Sequence, residues 1–177
     1  MYGIRLMRAL VSGGHEVHAV VSDWGGKVME HETGKPFSSW RAEIGVPEKN
    51  VYAPDDLAAL PASGTFRLDG AIIAPCSISS IGAIAAGISV NLVHRAAQTA
   101  LKEKWPLILV PRETPLSLVA LRNLTALAEA GADILPASPA FYHLPKSVDD
   151  MIYFVVGKIL DRLSIPHDLD ILWRGVK

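Results

Sequence analysis

Short apolar runs alternate with longer helical patterns along most of this chain, and this alternation constrains its fold more than any other feature. Runs rich in Val, Ile and Leu predict strands at residues 16–21, 70–74, 107–110 and 132–135. Helical patterns lie at about residues 4–11, 24–32, 79–104 with a break near Gly87, 114–130 and 147–163. Such alternation is typical of a parallel sheet with helices on both faces, so we predict an α/β fold.

The length and the one irregular stretch define the expected domain organisation. A chain of 177 residues is most simply one domain, spanning residues 1–177, and it is long enough to bury a core. Residues 34–67 contain four prolines and no strong periodicity. We interpret this stretch as a functional loop region, because long structureless connections inside a domain are uncommon unless they have a function.

Composition excludes several classes of partner. The net charge is −1, and no run of Lys or Arg exceeds two residues, so we expect neither nucleic acid nor an anionic membrane as a partner. The longest apolar stretch is interrupted by Pro75 and several serines, which argues against a membrane span. The single cysteine, Cys76, suits a reducing cytoplasm, and its apolar neighbours predict a buried, unreactive thiol. Half of the residues are hydrophobic, which is compatible with extensive subunit contacts.

Polar segments follow each predicted strand, where ligands bind in open parallel sheets. They are SDWGG from Ser22, PCSISS from Pro75, PRETPL from Pro111 and PASPAFYHLP from Pro136. Hydroxyl groups that lead into a helix N-terminus can bind an anion or a polar ring, although simple helix capping is the commoner use of a single serine. We expect Ser22, taken alone, to be a cap. The density of hydroxyls in PCSISS favours ligand contact.

Charged and aromatic residues at the later strand ends leave two interpretations open. Arg112 and Glu113 stand at the end of a buried strand, where a charge needs a partner or a ligand. Their mutual pairing, or a helix cap built on Thr114, is the structural alternative to a site role. Tyr142 lies in a loop between two prolines, and it is equally compatible with a ligand contact and with packing.

The sequence contains no recognisable metal or nucleotide motif. Its six histidines show no ligand spacing with carboxylates or with Cys76, so we predict no metal site. The pair Asp149-Asp150 opens a helix, where capping and the helix dipole explain it. Neither a GxGxxG nor a GxxxxGK[ST] fingerprint occurs.

Five segments in this order resemble the UbiX-type flavin prenyltransferase family over nearly the whole chain. They are APCSISSIGAIAAG, NLVHRAAQTALKE, LILVPRETPL, PASPAFYHLP and DDMIYFVVGKILDRL. The resemblance implies a Rossmann-like, flavodoxin-related three-layer αβα domain that assembles into a homo-oligomer, typically a dodecamer. It also implies transfer of a dimethylallyl group from dimethylallyl monophosphate to N5 and C6 of reduced FMN. The product, prenylated FMN, would serve a UbiD-type decarboxylase.

The resemblance also assigns residues to roles. The expected FMN-binding residues are Ser22, Ser77, Ile78, Ser79, Ser80 and Arg112. The substrate phosphate would be bound by Tyr142, Lys158, Arg95 and Lys102. Without the resemblance, Lys158 would be interpreted as an ordinary solvated charge. Glu113 would be the acid/base group, Glu32 a carboxylate near the reacting centre, and Trp173 an aromatic wall for the prenyl group. Fixed cations aimed at the leaving phosphate can replace a metal ion, so the implied chemistry is metal-independent.

In the family, a strand and a Gly-Ala-Ser-Gly type loop precede the helix that here begins with Tyr2-Gly3-Ile4-Arg5-Leu6. The resemblance therefore predicts an upstream coding sequence for that strand and loop, with Met1 an internal methionine. An upstream stop codon would contradict this prediction. Two other functions stay open at this point. One is an FMN-dependent decarboxylase of cysteine derivatives, and the other is a non-catalytic FMN-binding protein.

Overall fold

The computed structural model describes residues 1–169, 171–173 and 175, and it contains two parallel sheets. The first sheet pairs β1 (Ala19–Val20) with β2 (Val51–Tyr52). The second has the order β3 (Ala71–Cys76), β4 (Leu107–Pro111), β5 (Asp133–Ile134). All pairs are parallel, as the alternation of strands and helices predicts.

Among the described residues, seven helices connect and cover these strands. Most of them begin at a side-chain cap, which satisfies N–H groups of the first turn. Ser22, Ser77, Asn91, Ser117 and Ser147 supply these caps for the second, fourth, fifth, sixth and seventh helices. The helices are α1 (Tyr2–Ser12), α2 (Asp23–Thr33), α3 (Phe37–Ile44), α4 (Ile78–Ala85), α5 (Leu92–Glu103), α6 (Leu118–Glu129) and α7 (Val148–Arg162).

The strand β4 shows why the fold has three layers. Its side chains from Leu107 to Val110 are fully buried, and alternate ones point to opposite faces of the sheet. Ile108 and Val110 pack with residues of α1 and α7, whereas Leu107 and Leu109 pack with residues of α4, α5 and α6. Each such burial stabilises the fold by roughly 1.5–3 kcal/mol. The predicted three-layer α/β architecture is therefore correct.

The sheet is divided between β1 and β3. Within the described residues, β1 pairs only with β2, and β3 pairs only with β4 and leaves its other edge unpaired. Most of β3 is partly exposed, in contrast to the fully buried β4. The helix α1 lies against β3, and Gly3 makes this possible, because a Cβ atom there would stand 2.6 Å from the carbonyl oxygen of Ala74.

Most predicted elements are present, with two corrections. Residues 34–67 were predicted to be irregular, and this is wrong, because they contain α3, β2 and two short 3₁₀ turns. These elements are too short to produce a clear period: α3 buries only Trp40 and Ile44, and β2 has two residues. The sixth helix begins at Leu118 rather than at 114, since Ser117 is its cap. The predicted break near Gly87 separates α4 from α5. None of the described helices is long and apolar enough to cross a membrane.

Candidate functional site

The carboxyl ends of the strands place most of the predicted site residues at one edge of the molecule. Ser22 follows β1, Ser77 follows β3, and Arg112 follows β4. The loop that contains Tyr142 follows β5. Because parallel strands end at the same edge of a sheet, residues distant in sequence become neighbours there.

The serines at the end of β3 form a hydroxyl cluster at the N-terminus of α4. The Ser77 hydroxyl accepts a hydrogen bond from the backbone N–H of Ser80 at 3.1 Å. It also donates to the Ser80 hydroxyl at 3.1 Å. The Ser79 side chain is exposed, while Ile78 packs partly into the core beside α4. Two of the predicted hydroxyls are thus in direct contact, next to the unpaired N–H groups of a helix start.

Ser22 has the local role that was predicted for it. Its hydroxyl accepts a hydrogen bond from the backbone N–H of Gly25 at 3.1 Å and so caps α2. Its backbone N–H and carbonyl stand at the end of β1. A cap in this position fixes the start of α2 at the same edge as the serine cluster.

Arg112 and Glu32 form an ion pair that links the two sheets. Arg112 Nη1 lies 3.0 Å from Glu32 Oε1, and their side chains are 50% and 30% exposed. Arg112 follows β4 of the larger sheet, whereas Glu32 lies on α2, after β1 of the smaller one. The alternatives considered from the sequence are wrong: Arg112 pairs with Glu32 rather than with Glu113, and Ser117 rather than Thr114 caps α6.

The Glu113 carboxylate is exposed beside this pair. The backbone carbonyl of Glu113 accepts a hydrogen bond from the Thr114 hydroxyl at 2.9 Å. Among the residues that the structure describes, no hydrogen bond or ion pair engages the Glu113 side chain. A carboxylate held at a strand end and open to solvent is free to exchange a proton with a bound ligand.

Tyr142 belongs to an aromatic cluster that includes Trp173. The ring centroids of these two residues are 5.3 Å apart in an edge-to-face arrangement, and Phe154 lies 5.7 Å from Tyr142. The Tyr142 hydroxyl donates to the backbone carbonyl of Ile171 at 3.3 Å. Trp173 is 58% exposed, so the cluster presents an aromatic wall to solvent. Packing and ligand contact are both compatible with this position.

The predicted phosphate-binding cations are not gathered within one chain. Arg95 donates through Nε to the Ala62 carbonyl at 3.2 Å, and Lys102 pairs with Glu103 at 2.9 Å. Lys102 lies about seven residues further along α5 than Arg95, which is roughly 10 Å along the helix axis. Lys158 lies on α7, 3.4 Å from Asp161, in a surface cavity of about 280 Å³. The helices α5 and α7 cover opposite faces of the sheet.

Two residues near the edge were missed by sequence reasoning. His94 on α5 is buried, and its Nε2 lies 3.0 Å from the Ser80 hydroxyl. Tyr2 lies close to the Arg112–Glu32 pair. Burial raises the pKa of Tyr2, Arg112 opposes this shift, and Glu32 adds to it. The available signal for His94 was its position on the apolar face of α5, three residues before the buried Ala97.

Cys76 and the Asp149-Asp150 pair have structural surroundings. Burial raises the pKa of the Cys76 thiol to about 12, so the thiol stays protonated, and the prediction of a buried, unreactive cysteine is confirmed. Asp150 forms a capping box with Ser147, as predicted, and Asp149 binds Arg5 through both carboxylate oxygens. No group of three or more metal-ligating side chains occurs among the residues described.

The edge formed by the carboxyl ends of the strands has the polar groups needed to bind a flavin. The Ser80 hydroxyl and the start of α4 supply neutral donors, and Arg112 supplies a half-exposed positive charge. A phosphate or the polar rim of an isoalloxazine requires donors of these kinds. The residues present therefore fit FMN.

Comparison with known proteins defines the class. A family model described as "Flavoprotein" matches residues 1–160. The crystal structure of AnUbiX (PadA1) in complex with FMN and dimethylallyl pyrophosphate superimposes with a TM-score of 0.92 at 39% identity, covering 100% of this chain and 92% of that chain. The dodecameric FMN-dependent UbiX-like decarboxylase from Escherichia coli O157:H7 also gives 0.92 at 39% identity, covering 98% and 92%. The fold and the family model are thus those of a flavoprotein.

The curated relatives narrow this class to one family. The flavin prenyltransferase UbiX of Thermoplasma acidophilum is 44% identical over 172 residues, which cover 97% of this chain and 92% of the relative. The chain belongs to the UbiX flavin prenyltransferase family, as the resemblance in its strand-end segments predicts.

Proposed function

We propose that this chain is a metal-independent flavin prenyltransferase that transfers a dimethylallyl group from dimethylallyl monophosphate to N5 and C6 of reduced FMN. The observation that carries the proposal is the arrangement of the Ser77–Ser80 cluster and the Arg112–Glu32 pair at the strand ends of a UbiX-family chain. The related AnUbiX was crystallised with FMN and dimethylallyl pyrophosphate, which supports FMN and a phosphate ester of the dimethylallyl group as ligands here.

The FMN site is assigned to the strand ends on both sides of the sheet division. Ser22, Ser77, Ser79, Ser80 and Arg112 supply polar side-chain contacts, and Ile78 supplies a backbone N–H of the first turn of α4. Reduced FMN provides the nucleophilic N5 and C6 atoms. The protein's own contribution is to hold the ring so that these atoms face the prenyl donor.

The substrate phosphate is assigned to Tyr142, Lys158, Arg95 and Lys102. Breaking the allylic C–O bond leaves negative charge on the phosphate, and fixed cations stabilise it in place of a metal ion. Because α5 and α7 lie on opposite faces of one chain, we assign some of these cations to neighbouring copies. We therefore propose a homo-oligomer, a dodecamer like its E. coli neighbour, in which the site is completed between copies.

Proton movement and prenyl packing are assigned to three further residues. Glu113 carries a carboxylate that can take up and return protons as the new ring closes. Glu32 pairs with Arg112, and we assign its carboxylate to the reacting centre. Trp173 offers its ring to the prenyl group and can stabilise positive charge on it by a cation–π contact.

The proposal is tested by anaerobic incubation of the protein with dithionite-reduced FMN and dimethylallyl monophosphate. Mass spectrometry should then detect a flavin heavier by one dimethylallyl unit, with release of one phosphate. The reaction should persist in the presence of a chelator. Bound FMN without a new flavin species would instead favour the non-catalytic alternative. Loss of carbon dioxide from a peptidyl or pantothenoyl cysteine would favour the cysteine decarboxylase alternative.

The product indicates a recipient protein, and the free thiol indicates a cellular compartment. Prenylated FMN is a cofactor, so we propose a UbiD-type decarboxylase as its recipient. We place the reaction in the cytoplasm, because a reduced, unpaired cysteine suits a reducing compartment. We further propose that residues 1–177 form a single flavoprotein domain.

A further inference from the structure

The buried imidazole of His94 is built into the hydroxyl cluster at the start of α4. His94 is only 5% exposed, and its Nε2 lies 3.0 Å from the Ser80 hydroxyl oxygen. Its backbone N–H donates to the Asn91 side chain at 2.9 Å, which fixes the residue in the first turn of α5. A side chain of α5 therefore contacts the hydroxyl oxygen of Ser80, which lies on α4.

The surroundings of His94 decide which ring nitrogen carries the proton. Burial lowers the pKa of His94, so the ring is neutral at neutral pH and has one donor and one acceptor nitrogen. Nδ1 is buried and has no hydrogen-bond partner within the described part of the chain. A proton on Nδ1 would leave a buried N–H without an acceptor, which is costly and rare. We assign the proton to Nε2, which then donates to Ser80.

This assignment determines the direction of the Ser80 hydroxyl. The Ser80 oxygen accepts one hydrogen bond from His94 Nε2 and a second from the Ser77 hydroxyl. A hydroxyl oxygen has two acceptor lone pairs and one proton. Both lone pairs are occupied, so the Ser80 proton is left to donate to a third group at the strand-end edge.

We propose that His94 is a positioning residue, which holds Ser80 as a hydrogen-bond donor to an acceptor atom of the bound flavin. This inference rests on the proposed function, because it takes FMN as the ligand of the edge. His94 does not touch the flavin. It acts by saturating the acceptor sites of Ser80, so that a rotatable hydroxyl becomes a donor of fixed direction before the ligand arrives.

The test compares two substitutions that differ in one property. In His94→Gln the side-chain amide nitrogen can replace the Nε2 donor, whereas His94→Leu retains similar bulk and removes the donor. FMN affinity is measured for each by quenching of flavin fluorescence. We expect His94→Leu to raise the Kd for FMN about tenfold, and His94→Gln to stay within about twofold of the wild type. The absorption spectrum of bound flavin should be shared by the wild type and His94→Gln and should shift in His94→Leu.

A double-mutant cycle with Ser80→Ala shows whether His94 acts through that hydroxyl. In the Ser80→Ala background, His94→Gln and His94→Leu should have the same Kd for FMN. Thermal unfolding of each apo variant controls for folding, and His94→Met replaces His94→Leu if the latter fails to fold.

Two results overturn the inference while the proposed function stands. One is FMN binding by His94→Leu that equals the wild type, and the other is a His94→Leu penalty that persists without the Ser80 hydroxyl. Wild-type protein that binds no FMN overturns the proposed function and this inference together.

Discussion

The ion pair between Arg112 and Glu32 leads to a prediction that separates flavin binding from turnover. In the free protein, the Glu32 carboxylate lies 3.0 Å from the guanidinium that we assign to FMN. An oxygen of FMN must therefore compete with Glu32 for Arg112. In Glu32→Gln the competing charge is removed while the side chain keeps nearly the same shape.

The size of the effect follows from the geometry of the pair. Coulomb attraction at 3.0 Å amounts to about 1.4 kcal/mol at the dielectric constant of water. The two side chains are 50% and 30% exposed, so screening and side-chain entropy reduce the net value to about 1 kcal/mol or less. We expect Glu32→Gln to tighten FMN binding by up to about fivefold. It should nevertheless lower the turnover number, because Glu32 is assigned to the reacting centre.

The assay is a fluorescence titration of FMN at low and at high ionic strength, followed by single-turnover prenylation. Glu30→Gln is the matched control, because it removes the same charge from an exposed position on the same helix. Its Kd for FMN should equal that of the wild type. The gain in affinity of Glu32→Gln should shrink as salt is added. A Glu32→Gln variant that binds FMN about tenfold more weakly than the wild type would refute the reasoning, because Glu32 would then be a flavin contact rather than a competitor.

Four further predictions follow from the site and its surroundings. Glu113→Gln should lower kcat by about a hundredfold to ten-thousandfold with little change in FMN affinity, and unchanged turnover would remove Glu113 from the proton-transfer role. The variants Glu113→Gln and Lys102→Ala should each have little activity alone and should regain part of it when co-expressed. In mixed oligomers, an intact Glu113 from one copy can meet an intact Lys102 from another. No recovery would contradict sites shared between copies. Cys76 should resist alkylation at neutral pH until the protein unfolds, because burial raises its pKa to about 12, and rapid labelling of native protein would contradict its burial. The lowered pKa of His94 means that the unfolded chain binds a proton more readily than the folded one. The stability that neutral His94 contributes should therefore be lost as the pH falls below the pKa of this residue in the unfolded chain, which is about 6.5. His94→Leu should flatten this part of a plot of melting temperature against pH.

Local sequence was sufficient for the elements whose burial is continuous. The run LILV identified β4 because all four side chains lie in the core. The hydroxyl density of PCSISS likewise identified the Ser77–Ser80 cluster, because the spacing of a helix cap places these serines together. Where one stretch of chain contains both the signal and the contact, periodicity and capping rules are enough.

The remaining features depend on contacts between distant segments. Glu32 lies on α2 and Arg112 follows β4, and only tertiary packing brings them together. His94 reaches Ser80 because α5 packs beside α4, which no local pattern encodes. The strand β2 is too short for its two residues to show an alternation. In each case the information lies in tertiary packing rather than in a window of neighbouring residues.

The division of the sheet has a consequence for how the molecule opens. Across the residues described, β1 and β2 share no ladder hydrogen bond with β3, β4 and β5. The strands of the smaller sheet have two residues each, so their amides should exchange with deuterated water sooner than those of Leu109 in the fully buried β4. Ser22 follows β1 of the smaller sheet and Arg112 follows β4 of the larger one, so a flavin bound by both would link the two sheets. Its binding should slow exchange in β1 and β2 more than in β4.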